Sequence, residues 1–526
     1  MRILLARLHS VFLAMLLGLP AQAGGVLLTK DDLVRVQPSV WAATGLALPE
    51  PDPALPIVGP RNTQDGARLL RYLNGQGGIN GFAGILYDNR DRGHSTLPRD
   101  QYPRLTHLEY GPQLAAKGLD YGLAGRIVLP AVVLGNSSTA MTRGPAARSQ
   151  PRLAMTSASW RAIMPMLYAN NHIYVYPEHR DHDAEDLFPV NWPYTIISQG
   201  SSGSDRVFLN AVAMTLAAFP ADTFAALREQ RLVAPTVQMI LRRNLATVSS
   251  RADYLSGKAH PPVFDGRQVR SGRMVAQASD LRPEDIPPLV RLRVIEDGFA
   301  EAAGLAGLDE RLLDTPAAIG RLWRGFAWER ALTVTAENTS APNDRPLSFE
   351  WRLLRGDPAR VRIEPQGPDG RTARIHVAWH EPWSEPIPGS RDNGVRRVSR
   401  VDIGVFAHNG VHDSAPALIS IDFPEHQIRQ YAPGDGDRRR LVSIDYDAVG
   451  RGAYFDPLLY WSAPWTDTAR YDENGTLLGW DRRSADGVMD FVPVGADDTR
   501  LPHYEVDPSA PDVPILRHVG ERRPPR

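Results

Sequence analysis

Residues 127–139 read IVLPAVVLGNSST, eight apolar positions that stop abruptly in glycine, asparagine and hydroxyl side chains. A short, β-branched run of this kind predicts a strand buried on both faces, with a polar loop at its carboxyl end. The pattern recurs. GFAGILY (81–87) runs into Asp88-Asn89-Arg90-Asp91-Arg92-Gly93-His94-Ser95. IYVY (173–176) runs into Pro177-Glu178-His179-Arg180-Asp181-His182-Asp183, and YTIIS (194–198) into Gln199-Gly200-Ser201-Ser202-Gly203-Ser204-Asp205. Helical spacing fills the gaps: Ser157 to Ala169 with Pro165 inside it, Val207 to Ala218, apolar nearly all round, and Ala234 to Leu245, basic in its last turn. Strand–helix alternation predicts an α/β domain with a largely parallel sheet over residues 24–325. In such a sheet the carboxyl ends of the strands share one edge, so the four polar loops are expected to meet there.

Composition bounds the rest. The chain has 526 residues, 43% hydrophobic and 23% charged, which is more than one domain of ordinary globular character. A net charge of −1 offers no global field for nucleic acid or an anionic membrane. Cysteine is absent, which removes thiolate nucleophiles, disulfides and Cys-ligated zinc. Lysine occurs only at Lys30, Lys117 and Lys258, so any carboxylate or anion clamp falls to arginine. Residues 1–23 have the layout of a secretory signal: Arg2 and Arg7, an apolar stretch from Val11 to Leu19, and Ala21-Gln22-Ala23 as a cleavage site. A secreted or periplasmic location is therefore expected. Gly24 to Arg61, rich in proline, reads as an extended lead-in.

Near Trp328 the helical spacing gives way to alternation. Leu332 to Ala336, Leu347 to Leu354, Val361 to Glu364, Ala373 to Trp379, Val401 to Ala407 and Ala415 to Phe423 predict strands of an all-β sandwich over 326–430. Glu337-Asn338 with Pro342-Asn343-Asp344-Arg345-Pro346-Leu347-Ser348-Phe349-Glu350-Trp351 resembles the opening of a PKD-type, immunoglobulin-like domain. Val401 to Asn409, followed by Ser414-Ala415-Pro416-Ala417, is similar to its closing hairpin. The family's usual Asp-Gly-Asp is not intact here, and the resemblance implies a spacer or adhesion module. Residues 431–526 predict a small β-rich extension, with Asn474-Gly475 as a hairpin turn.

Chemistry is expected in the four loops. Asp88, Asp91 and His94, with His179 and His182, are candidate acid/base groups. His179, His182 and Asp183 also offer ligands for a divalent metal, the only cofactor entertained. Ser202 is a nucleophile candidate, although neither it nor Ser137 has the Gly-x-Ser-x-Gly frame. Arg90, Arg92, Asn136, Ser137, Gly200, Ser201, Gly203 and Ser204 are candidate substrate- or anion-binding residues, the last loop through backbone N–H groups at a helix start. The competing interpretation of that loop is an N-cap by Ser204 or Asp205. Arg143, Arg148 and Arg152 could present guanidinium forks, and Gly257-Lys258-Ala259-His260-Pro261-Pro262 adds a histidine in a Pro-rich loop. The expected activity is an exported hydrolase or lyase on an extracellular polymer, most plausibly a glycan. The alternative is a non-catalytic binding or scaffold protein whose loops pair internally.

Overall fold

The computed structural model describes residues 24–141, 148–339, 341–387, 394–434, 439–449, 456, 458–495, 501–509 and 516–522. The expected signal segment and Arg143 lie outside them. Strands β1 (Gly25–Leu28), β2 (Ile85–Asn89), β3 (Thr106–Tyr110), β4 (Val132–Asn136), β5 (His172–Pro177) and β6 (Ile196–Ser198) form one sheet. Its spatial order is β1-β3-β2-β4-β5-β6, and every neighbouring pair is parallel. The four expected strands are all present, three of them shorter than their apolar runs and His172–Pro177 longer than IYVY. The run 127–134 is split by Pro130, which cannot donate to a ladder: Ile127–Val128 joins a separate small sheet and only Val132–Asn136 enters this one. The supposed lead-in supplies β1, so Gly25–Leu28 is an edge strand and not a tether.

Helices α1 (Asp65–Gln76), α2 (Ala158–Tyr168), α3 (Arg206–Ala218), α4 (Val233–Arg243) and α5 (Ser271–Asp280) belong to this half. Pro165 is accommodated inside α2. As expected, α3 is buried along most of its length.

The chain leaves β2 for β3 on one side, crosses back over β2 to β4, and continues outward through β5 and β6. Its direction of travel diverges between β2 and β4. That is the switch point at which an open α/β sheet leaves a crevice at its carboxyl edge.

The architecture changes at Arg293, earlier than the sequence spacing suggests. Arg293–Asp297 opens a four-stranded antiparallel sheet with Glu329–Thr335, Thr372–Ala378 and Val361–Gln366. Arg311–Thr315, Ala318–Leu322, Ala417–Asp422, Arg400–His408 and Ser348–Arg355 form a five-stranded sheet, antiparallel except between its second and third members. Trp323, Trp379 and Phe423 pack between them with ring centroids 5.1–6.2 Å apart. Five further antiparallel strands between Ile428 and Pro493 make the extension, and Gly475 turns its central hairpin at φ 79°. Among the described residues no helix is long and apolar enough to cross a membrane.

Candidate active site at the switch point

At the ends of β2 and β4 the register sets Asp88 beside Gly135 and Asn89 beside Asn136. Gly135 must be glycine, because a Cβ there would stand 2.1 Å from the Tyr174 ring. The space lets the Tyr174 hydroxyl reach Asp88 Oδ2 at 2.7 Å. Arg90 Nε donates to the same oxygen at 2.7 Å, and the Tyr110 hydroxyl donates to Oδ1 at 2.8 Å. Arg90 also donates to the Gly125 carbonyl and lies over the Tyr174 ring. Both Asp88 and Arg90 are sealed from solvent. A carboxylate with its counter-ion and two phenols in place has no lone pair directed at a substrate. The expectation that Asp88 is an acid/base group and Arg90 an anion ligand is therefore corrected: together they lock the sheet edge.

Three residues further on, the chemistry is different. Asp91 accepts from the backbone N–H groups of Ser95 (2.8 Å) and Gly93 (3.2 Å), and Asp205 approaches it from the loop before α3. The Asn136 amide lies between them: its Nδ2 donates to the Ser95 carbonyl at 2.8 Å and to Asp205 Oδ2 at 3.0 Å and has Asp91 Oδ2 at the longer distance of 3.4 Å, while its Oδ1 accepts from the Tyr87 hydroxyl at 2.8 Å. Asp91 is 1% and Asp205 0% exposed, with no arginine or lysine in ion-pair distance among the described residues. Burial raises both carboxyls above the ordinary range, and the Asp205 charge adds to the rise at Asp91. Although Asp205 occupies the N-cap position of α3, its side chain caps nothing, so neither the oxyanion nor the capping interpretation of this loop describes it. Its Oδ1 is buried with no partner at ordinary hydrogen-bond distance, although the Ser95 side chain acts on this carboxyl as a donor.

His179 completes the group. It hydrogen-bonds the Ser138 backbone and feels the Asp205 charge, yet burial outweighs both and holds the ring below its usual range, in the neutral form. Its Nε2 is buried and unpartnered. His179 and Arg180 both adopt left-handed backbone, at φ 52° and 78°. Such conformations cost roughly 1–3 kcal/mol each in non-glycine residues and persist only where the surroundings impose them. Exposed His94, on the turn that wraps Asp91, forms part of the rim.

The remaining candidates divide. Glu178, unassigned from sequence, is buried; Oε1 accepts from the Gly200 N–H at 2.8 Å and Oε2 from the His182 N–H at 3.3 Å. Burial pushes its carboxyl up to about 7. The expected anion cradle at Gly200 is thus occupied by the protein's own carboxylate, and the Ser204 N–H is bonded to the Ser201 carbonyl. The Ser204 hydroxyl pairs with Ser198. Ser201 and Ser202 are exposed, and among the described residues no histidine or carboxylate hydrogen-bonds Ser202 as an activating base; Gly203 supplies a turn at φ 95°. Ser137 is saturated by the Arg90 carbonyl and Gln150. Arg92 forks onto Asp120 at the surface.

His182 turns the other way, 3.6 Å from Asp186 and against Phe188, in a buried set that does not include Asp91 or Asp205. Asp183 is exposed. Among the described residues no group of three or more His, Asp or Glu converges as metal ligands, which corrects the His179–His182–Asp183 expectation. Arg148 is taken by Thr156 and Asp456, and Arg152 lies close by, so both tie the extension down rather than clamping a ligand.

No protein-family model matches the chain, and no curated protein matches it. Among solved structures, a nucleoside hydrolase-related hypothetical protein from Saccharophagus degradans, described as associated with carbohydrate metabolism, is similar at 11% identity and a TM-score of 0.19. The match covers 64% of this chain and 99% of that one. A likeness at that level carries no weight for chemistry.

Proposed function

We propose that the chain is an exported hydrolase or lyase acting on an extracellular polymer, most plausibly a glycan, with Asp91 and Asp205 as its acid/base pair. The observation that carries this is the Asp91–Asn136–Asp205 bridge at the switch point. Two buried carboxyls from different loops meet at one amide that also holds the Ser95 carbonyl, lack a counter-cation among the described residues, and stand with an imidazole whose Nε2 has no hydrogen-bond partner. An unsatisfied buried polar atom costs about 1–3 kcal/mol, so the His179 Nε2 beside these acids favours a polar ligand that would satisfy it. Carboxyls raised by burial allow one to remain protonated as acid while its partner acts as base, the division of labour that glycosidic cleavage uses. His179, held neutral by burial and within the field of the Asp205 charge, has its Nε2 available to accept a proton. The β-rich half would then hold the polymer near the site, in line with the PKD-like resemblance.

A non-catalytic binding or scaffold role is favoured by one observation: Arg90 and Arg92 are spent on internal pairs with Asp88 and Asp120. Product release from a panel of polysaccharides decides between the two. Wild-type protein should cleave at least one, and Asp91→Asn and Asp205→Asn should each lose that turnover while staying folded. Equal turnover in the variants would remove the acid pair from the mechanism.

A further inference from the structure

A cavity of about 330 Å³ lies between the α/β half and the β sheets, on the side toward which His182 turns. Leu245, Val263, Phe264 and Leu354 give it apolar walls; His182 and Arg396 are among its polar lining. Its volume falls in the small-molecule range, and seams between structural units are where such pockets form.

The charges around it are almost all accounted for. Arg355 pairs with Asp186 and Glu385, Asp402 with Arg400, Asp265 with Arg267, and Lys258 with Asp253. Arg396 is different. It is 4% exposed, its one side-chain hydrogen bond among the described residues is a long contact of 3.4 Å to the His182 carbonyl, and the carboxylates whose charge reaches it, Asp186, Glu385 and Glu178, all lie beyond ion-pair distance. A guanidinium offers five donors in a planar fork, and a buried one without an anion is costly. His260 shares the lining; its Nε2 bonds the Tyr254 carbonyl while its Nδ1 is buried and unpartnered.

We propose that this seam is a binding site for a small monocarboxylate with an apolar or aromatic body, its carboxylate forked by Arg396 and its body held against Phe264 and Leu354. The site is independent of the acid pair, although its wall includes Gln199, beside the Gly200 that Glu178 holds. Substitutions at Asp91 or Asp205 should therefore leave it intact.

Titration calorimetry on the full chain with 3-phenylpropionate and its neutral amide tests this. The acid is expected to bind and the amide at least about tenfold more weakly, a difference of about 1.4 kcal/mol. Arg396→Gln should bring the acid down to the level of the amide, and Leu354→Trp, which fills the cavity, should abolish binding of both. Should Arg396→Gln fail to fold, the acid–amide ratio and Leu354→Trp still decide. Absence of acid binding, equal affinity for acid and amide, or binding that survives Leu354→Trp would each overturn the site.

Discussion

Asp88 and Asp91 lie three residues apart on one strand end, both buried, and the fold treats them in opposite ways. Asp88 is given an arginine, two phenols and complete enclosure. Asp91 is given backbone N–H groups, a shared amide and a second acid. The difference teaches that burial does not separate structure from chemistry; the state of the lone pairs does. A saturated carboxylate stabilises the sheet edge. A carboxyl raised by its surroundings, beside an imidazole nitrogen without a hydrogen-bond partner, is held ready for something outside the chain.

The sharpest way to break the comparison is to neutralise each acid. Asp205→Asn and Asp91→Asn should lower glycan turnover by about 10²–10⁴-fold, the usual contribution of a general acid or base; the melting temperature should hold in Asp205→Asn and fall in Asp91→Asn, whose amide nitrogen would face the Gly93 or Ser95 N–H. Calorimetry alongside the product assay checks both halves. Asp88→Ala should act on the fold instead, leaving the Arg90 charge buried and unpaired. A loss of about 3–5 kcal/mol in urea unfolding is expected.

Glu178 provides a test with a sign. In the folded chain it keeps its proton up to about pH 7, against 4.5 for the ordinary group. The folded state therefore binds more protons than the unfolded one in that window, and wild-type stability falls as pH rises through it. Glu178→Gln, which mimics the protonated form, should gain on wild type from pH 4.5 to 7 by on the order of 3 kcal/mol, at about 1.4 kcal/mol per unit. Buried His172 and His182, lowered to about 4, push the other way in both proteins, so the difference between variant and wild type is the quantity to follow. The smallest effect is expected at Ser202→Ala: exposed and without a base, it should change stability by less than about 0.5 kcal/mol and leave turnover intact.

The sheet was legible because strands buried on both faces must be written as apolar runs, and abrupt polar stops mark their ends. Asp91, Asn136 and His179 were legible as members of loops that parallel strands bring to one edge. Asp205 was visible only as a cap, since an Asp before an apolar helix reads that way unless the neighbouring loop is known to reach it. The phenols of Tyr110 and Tyr174 were hidden because their partner Asp88 lies 22 and 86 residues away, and the role of Glu178 because its shorter bond goes to Gly200, 22 residues on. Strand β1 escaped notice because a four-residue edge strand carries almost no periodicity.

The most direct test of the coupled pair is a carboxyl-carbon NMR titration of Asp91 and Asp205 in wild type and in each single Asn variant. Midpoints for both above the ordinary aspartate value of about 3.9, with the Asp91 midpoint falling when Asp205 becomes Asn, are the predicted result. Two independent titrations near the ordinary value, indifferent to substitution of the partner, would contradict it.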